Sequence, residues 1–237
     1  MTPSAEDFAV DDRNRVKRLY QRGHYDRATI YPVFDCAMLC HIAYVVDGQP
    51  FCTPTAFWRE DDTLFWHGSS ASRMLRAQAD GLPVCLTVTH MDGLVLARSG
   101  FNSSINYRSV MAFGRAHRMA DEAAKRRSMD AFVERFFPGR NPALRPPTDQ
   151  EVKATSILSM EIEQASAKIH SGPPGDGAED GMVPVWAGVI PFRTVIDAAQ
   201  DSPELLDGLA RGDDLAAYAP GRVLDDAYRE TYEAYRR

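Results

Sequence analysis

The sequence predicts a mainly β fold with peripheral helices, in which short strands close a small barrel or half-barrel. Three observations carry this reading. Roughly six extended runs fall within about 80 residues, between His41 and Ala116, a density typical of small antiparallel barrels. Their connections are tight and acidic: Asp47-Gly48, Glu60-Asp61-Asp62 and Asp92-Gly93, and Asp-Gly is a strong hairpin signal. One helical stretch, Ser70 to Asp80, interrupts them.

Composition narrows the class. With 237 residues the chain makes one large or two small domains. A hydrophobic content of 44% with 25% charged residues matches an ordinary globular protein. The formal net charge of -6 argues against general nucleic-acid binding. No apolar run approaches the ~18 residues that a membrane-spanning helix needs. The start, Met1-Thr2-Pro3-Ser4-Ala5-Glu6-Asp7, lacks the basic flank and apolar core of a secretion signal, so a cytoplasmic location is expected. Cys36, Cys40, Cys52 and Cys85 lack the close pairing of a zinc site and read as reduced structural thiols; no metal site is expected.

Taken in order, residues 1–15 read as a flexible N-terminal arm, 16–195 as a cofactor-binding domain with inserted helices, and 196–237 as a peripheral helical tail. Between Tyr25 and Cys40, Ile30, Val33, Phe34, Ala37 and Met38 recur at helical spacing, with Asp26 or Thr29 as cap. The runs His41–Val46, Gln49–Arg59 and Thr63–His67 form an antiparallel meander, with Pro50 and Pro54 marking an edge or a bulge. Ser70 or Ser72 caps the next helix, Gly81 stops it and Pro83 prevents its resuming. Val84–Thr89, Leu94–Ala97 and Ser109–Ala116 are strands, and Asp121–Phe137 is an amphipathic helix. Four prolines between Pro138 and Pro147 mark a loop, Thr148 and Glu151 have capping-box spacing, and Leu158, Met160 and Ile162 face inward from a further strand. Val183–Pro191 reads as a last strand, and helices are expected at Ser202–Leu209 and Leu224–Tyr235.

Two polar clusters sit among these strands. His67-Gly68-Ser69-Ser70-Ala71-Ser72-Arg73 ends a strand and opens a helix, and Ser99-Gly100-Phe101-Asn102-Ser103-Ser104-Ile105-Asn106-Tyr107-Arg108-Ser109 leads into another strand. Hydroxyls, a guanidinium fork and a helix start together form an anion site, so the first cluster predicts phosphate binding, with Arg98, Arg108 and Ser109 as further contributors or as salt-bridged surface residues. No nucleophile elbow, dinucleotide-binding glycine pattern, phosphate loop or His-Glu-x-x-His pattern occurs. No catalytic acid–base pair can be named, which suits chemistry carried by a cofactor.

From Val16 to Phe192 the sequence resembles the pyridoxamine 5′-phosphate oxidase-like flavoproteins, the FMN-binding split β-barrels. It is most similar to their flavin-nucleotide-binding branch, which includes relatives of nitroimidazole-resistance reductases. The segments that carry this are Arg22–Arg27, His67–Arg73, Thr87–Ser99, Asn106–Val110 and Pro184–Val189. The resemblance implies an FMN-binding split β-barrel and a homodimer with FMN at its interface. It implies that His67, Ser69, Ser72 and Arg73 hold the phosphate, that Asn106, Tyr107, Arg108 and Ser109 contribute to the cofactor or its partner-chain face, and that Pro54 and Thr55 lie near the ring. Asn102 and Ser103 stand where that branch usually carries two histidines, and His90 where it carries an apolar residue, so substrate or activity is expected to differ.

The function this implies is an FMN-dependent oxidoreductase acting on a small soluble molecule such as a nitro- or other heteroaromatic compound, with NAD(P)H or a reduced flavin as electron donor. Two alternatives stand beside it. One is a haem-binding or haem-modifying protein, with His24, His41, His67 and His90 as candidate axial donors. The other is a non-catalytic flavin-binding protein. Neither nucleic acid nor membrane is an expected partner.

Overall fold

The computed structural model describes residues 7–237, so the first six residues of the expected arm lie outside the described part. Beyond them, Phe8 is buried and its N–H donates to the Tyr25 carbonyl at 2.9 Å. Helix α1 (Arg27–Asp35) begins at the Asp26 cap, whose carboxylate accepts from the Thr29 N–H at 2.7 Å. It buries Ile30, Val33 and Phe34. The meander follows as β2 (Leu39–Val46), β3 (Gln49–Glu60) and β4 (Thr63–Ser69). Asp47 and Gly48 both take positive φ, 50° and 76°, as a two-residue hairpin turn demands. Helix α2 (Arg73–Ala77) is shorter than expected, because β5 (Asp80–Leu96) already starts pairing at Asp80 with β6 (Ser104–Arg118). After these come α3 (Glu122–Phe136), α4 (Asp149–Ala154), β7 (Thr155–Glu161), β8 (Gln164–His170), β9 (Gly188–Pro191) and α5 (Leu224–Tyr235).

The two-residue strand β1 (Gly23–His24) pairs with β8, and the nine strands run in the order β1-β8-β6-β7-β4-β3-β2-β5-β9. A further β5–β6 pairing closes six of them, β5-β6-β7-β4-β3-β2, into a ring. β6 serves β8 through Tyr107–Phe113 and β7 through Ala116–Arg118 on one edge. Gly114 stands where it changes partner. A Cβ there would lie 2.3 Å from the Glu161 carbonyl oxygen, so only glycine permits the crossing. Ile42, Phe57, Leu64, Trp66, Leu86, Val110, Leu158 and Met160 fill the ring.

The expected class, a mainly β split barrel with peripheral helices, is corrected by this arrangement to a mixed α/β fold with a six-stranded ring-like sheet. The helices are structural partners of the sheet. Phe136 of α3 forms a second apolar cluster with Trp58 and Ile157, residues of β3 and β7. Arg135 of α3 and Arg59 of β3, both almost wholly buried, converge on Asp35 of α1 and on α5. Periodicity revealed the amphipathic helices without revealing that both faces of β3, β4 and β7 are covered.

Three local differences have plain causes. β8 carries no bulky apolar run: its inward residues are Ala165 and Ala167, whose small side chains give a weak strand signal. The last strand shrinks to Gly188–Pro191, because pairing with β5 covers only Gly93–Leu96. Residues 202–209 form turns, while α5 forms as expected.

Candidate functional site

A cavity of about 780 Å³ opens on the outside of the ring. Its floor is Trp58 of β3, His67 of β4 and Thr155 and Ile157 of β7. Met129, Phe132 and Val133 of α3 form one wall, and residues 141–147 with Glu151 of α4 form the other. Strand alternation builds the floor: Trp66 and Leu158 point into the ring, so His67 and Ile157, paired across β4 and β7, point outward. The α3 side chains arrive at helical spacing, Met129 and Phe132 three residues apart on one face.

His67 is the one imidazole lining this cavity. Its ring lies 4.8 Å from the Phe132 centroid in an edge contact and 6.1 Å from Trp58. Among the described residues it forms no hydrogen bond. Burial alone pulls its pKa below the usual value, so the ring stays neutral at physiological pH. A neutral imidazole without a protein partner, on an apolar floor, has a lone pair available to a metal centre. Arg126 and Arg145 stand at the mouth of the same cavity.

The other predicted residues fall into separate places. Ser72 is the N-cap position of α2, though its hydroxyl makes no cap bond, and Ser69 Oγ accepts from the Ala71 N–H at 3.2 Å. Arg73 is exposed, stacks 4.6 Å over the Phe51 ring and has no carboxylate partner among the described residues. Pro54 and Thr55 lie mid-strand on β3, opposite His41 and Cys40 of β2. On β6, Asn106 Nδ2 donates to the Gly172 carbonyl at 3.2 Å, while its buried Oδ1 has no partner among the described residues. Tyr107 lies beside His170, and Ser109 Oγ donates to the Lys168 carbonyl at 3.2 Å.

Arg108 is committed elsewhere. It donates to both oxygens of Asp92, at 2.9 and 2.7 Å, and to Asp225 at 2.7 Å. These carboxylates, Asp92 first, hold the guanidinium firmly charged. It borders a second, polar cavity of about 620 Å³, with His90, Arg193 and Arg229. Tyr44, which stacks on Phe51, is level with β5 near Val84, whereas Arg108 pairs with His90. At ~3.3 Å per residue, Arg73 and Arg108 therefore stand on the order of 20 Å apart along the sheet. One chain does not join the two polar clusters into a single site.

The remaining histidines are placed differently from His67. His90 Nε2–H donates to the Val33 carbonyl at 3.0 Å. His41 is exposed on β2, and His24 lies on the edge strand β1. Arg98 pairs with Asp176. Asn102 and Ser103 stabilise the β5–β6 hairpin through Ser99. Sequence reasoning missed Arg126, Met129, Phe132 and Arg145, because α3 reads as an ordinary amphipathic helix and 138–147 as a linker.

Comparison with known proteins adds a second line. A family model described as pyridoxamine 5′-phosphate oxidase matches residues 26–169. The chain is similar to a flavocytochrome, Anf3, from Azotobacter vinelandii, at 41% identity over 89% of this chain and 98% of that one, with a TM-score of 0.84. It is similar to an FAD- and haem-binding protein from Mycobacterium smegmatis, at 37% identity over 86% and 98% of the two chains, with a TM-score of 0.81. A putative 5-nitroimidazole antibiotic resistance protein from Bacteroides thetaiotaomicron shares the fold alone, at 20% identity over 62% and 86% with a TM-score of 0.52. No curated protein matches the chain.

Proposed function

Because the chain belongs to the pyridoxamine 5′-phosphate oxidase family, we propose that it is a redox protein that binds both a flavin and a haem and acts on a small molecule. The observation that carries the haem part is His67, a half-buried neutral imidazole without a hydrogen bond among the described residues, on the floor of a large, mainly apolar cavity. The named properties of the two relatives at 41% and 37% identity support the same reading. This favours the haem-binding alternative over a flavin-only reductase of nitro compounds, for which the similarity is of fold alone.

The residues fit the two groups. For haem, the donor set is His67, with Phe132, Trp58 and Ile157 as apolar walls that exclude water, and Arg126 and Arg145 as cations at the mouth. For the flavin, Ser69, Ser72 and Arg73 offer hydroxyls and an uncommitted guanidinium, with Thr55 on β3 as a ring-side candidate. Such groups, when bound, supply one- and two-electron exchange. The chain's own contribution is to hold, orient and desolvate them. We take a nicotinamide or a reduced flavin as the electron donor.

A homodimer belongs to this reading. Leu39 and Val45 of β2, Met91 of β5 and Met111 of β6 are exposed large apolar residues of the sheet, and Trp186 beyond it is 61% exposed. Exposed apolar surface of this kind marks an interface. A twofold partner would bring its β6 polar run toward the site that one chain leaves unjoined.

The test is an absorbance spectrum of protein purified without added cofactor, with extraction and mass identification of the chromophores. The expected result is flavin bands with a Soret band, and His67→Ala whose Soret band loses the position of imidazole-ligated haem while the flavin is kept. Mass also separates FMN from FAD. A folded protein that takes up neither group refutes the reading.

A further inference from the structure

We propose that Arg126 and Arg145 form the carboxylate-binding pair of the outer cavity. They select a planar apolar ligand with two carboxylates on one edge, by exchanging Asp149 and Glu151 for the ligand's own carboxylates. The inference rests on the haem reading above and deepens it, because that reading uses the two arginines only as cations at a mouth.

The argument starts from what each guanidinium would leave behind. Arg126 donates to the Pro147 carbonyl at 2.7 Å and to Asp149 at 2.5 Å. The Asp149 side chain is 87% exposed, so on release it returns to water. Arg145 donates to both oxygens of Glu151, at 2.8 and 2.5 Å. Glu151 would not be left bare either. Its Oε2 also accepts from the Thr148 N–H at 2.8 Å and from the Thr148 hydroxyl at 3.1 Å, as the capping box of α4. Both arginines therefore have partners that remain satisfied when they leave, and exposed ion pairs of this kind contribute little to stability.

Arg59, Arg135 and Arg108, also near the cavities, are not free in this sense. Arg59 and Arg135 are buried in their contacts with Asp35 and α5. Arg108 is shared between Asp92 and Asp225.

Ligand chemistry follows from the division of the walls. Trp58, Phe132, Val133 and Ile157 offer no charge and suit a flat apolar body. A carboxylate carried into that space unpaired would be strongly disfavoured. Two guanidinium forks at the mouth match two carboxylates bidentately, whereas a lysine would offer a point charge. Pro142, Pro146 and Pro147 stiffen the segment that carries Arg145 and limit how far it moves.

The test compares haemin with its dimethyl ester, in which both carboxylates are capped. Full-length protein stripped of chromophore is titrated with each, and binding is followed by the Soret band and by quenching of tryptophan fluorescence. Arg126→Gln and Arg145→Gln are expected to weaken haemin binding by about tenfold each, as loss of a charge-assisted pair does, and to leave ester binding unchanged. Unchanged haemin affinity in the folded double variant overturns the assignment, and so does equal weakening for both ligands, which would mean a general disturbance of the wall. A wild-type protein that binds neither ligand refutes the haem reading itself. His67→Ala distinguishes the two roles: it should abolish the ligation signature for both ligands while keeping the preference for the free acid.

Discussion

Burial holds His67 neutral, and the sign of its effect on stability follows. Its folded pKa lies below the unfolded value of 6.5 because burial disfavours the imidazolium. Above pH 6.5 neither state binds the proton, and the full stability is present. As pH falls through 6.5 the unfolded chain takes up a proton that the folded one refuses, so stability drops until the folded pKa is passed. Urea unfolding of cofactor-free protein should show this decline, and His67→Gln should flatten it. A His67→Gln variant with the same slope would place the titration elsewhere. Arg73 and Arg108 make a matched pair of expectations. Arg73→Ala should weaken flavin binding by about 1.5–3 kcal/mol, the size of a charge-assisted hydrogen bond, with little loss of stability. Arg108→Ala should mainly destabilise, since it leaves Asp92 and Asp225 facing one another. Unchanged flavin affinity in folded Arg73→Ala would remove that residue from the site.

The four elements behind the cavity are joined at one residue, Asp35, through its carboxylate and its main-chain carbonyl. Asp35 of α1 accepts from Arg59 Nε at 3.0 Å and from Nη2 at 2.6 Å. Arg135 of α3 donates to the Asp35 carbonyl at 2.6 Å and to Thr231 of α5 at 3.2 Å, and Arg59 also reaches the Tyr232 hydroxyl. Removing one member leaves a buried charge uncompensated. Asp35→Ala should therefore cost about 3–5 kcal/mol in denaturant unfolding. The paired change Asp35→Leu with Arg59→Met, which removes both charges, should recover much of that loss. Because α3 also supplies a cavity wall, hydrogen exchange in Asp35→Ala should quicken along α3 and α5 before the ring strands respond.

At the scale of the whole molecule, the exposed apolar face of β2, β5 and β6 predicts self-association. Val45→Glu with Met111→Glu should convert a dimer into a folded monomer in light scattering, and flavin retention should fall with it. A wild-type monomer that holds stoichiometric flavin would exclude a shared site. Much of the plan was legible in the sequence. The Asp26 cap, the Thr148–Glu151 capping box, the Asp47-Gly48 turn and the alternation of Leu158 and Met160 are local signals, and each stands in the structure where it was read. Family membership was legible too, because ordered motifs survive along the chain.

What the sequence determined by itself is what depends on neighbours a few residues apart: turns, caps, strand faces, and a polar segment ending in a cation at His67–Arg73. The tertiary structure decided which charges are spent and which are available. Arg108 reads like Arg73 until folding brings Asp225, 117 residues away, against it. His67 reads as one of several candidate donors until α3 covers it and the Val33 carbonyl engages His90. The helices read as peripheral until Arg135 reaches Asp35 across 100 residues. Availability of a side chain is set by its distant partners, and only the packed chain specifies those.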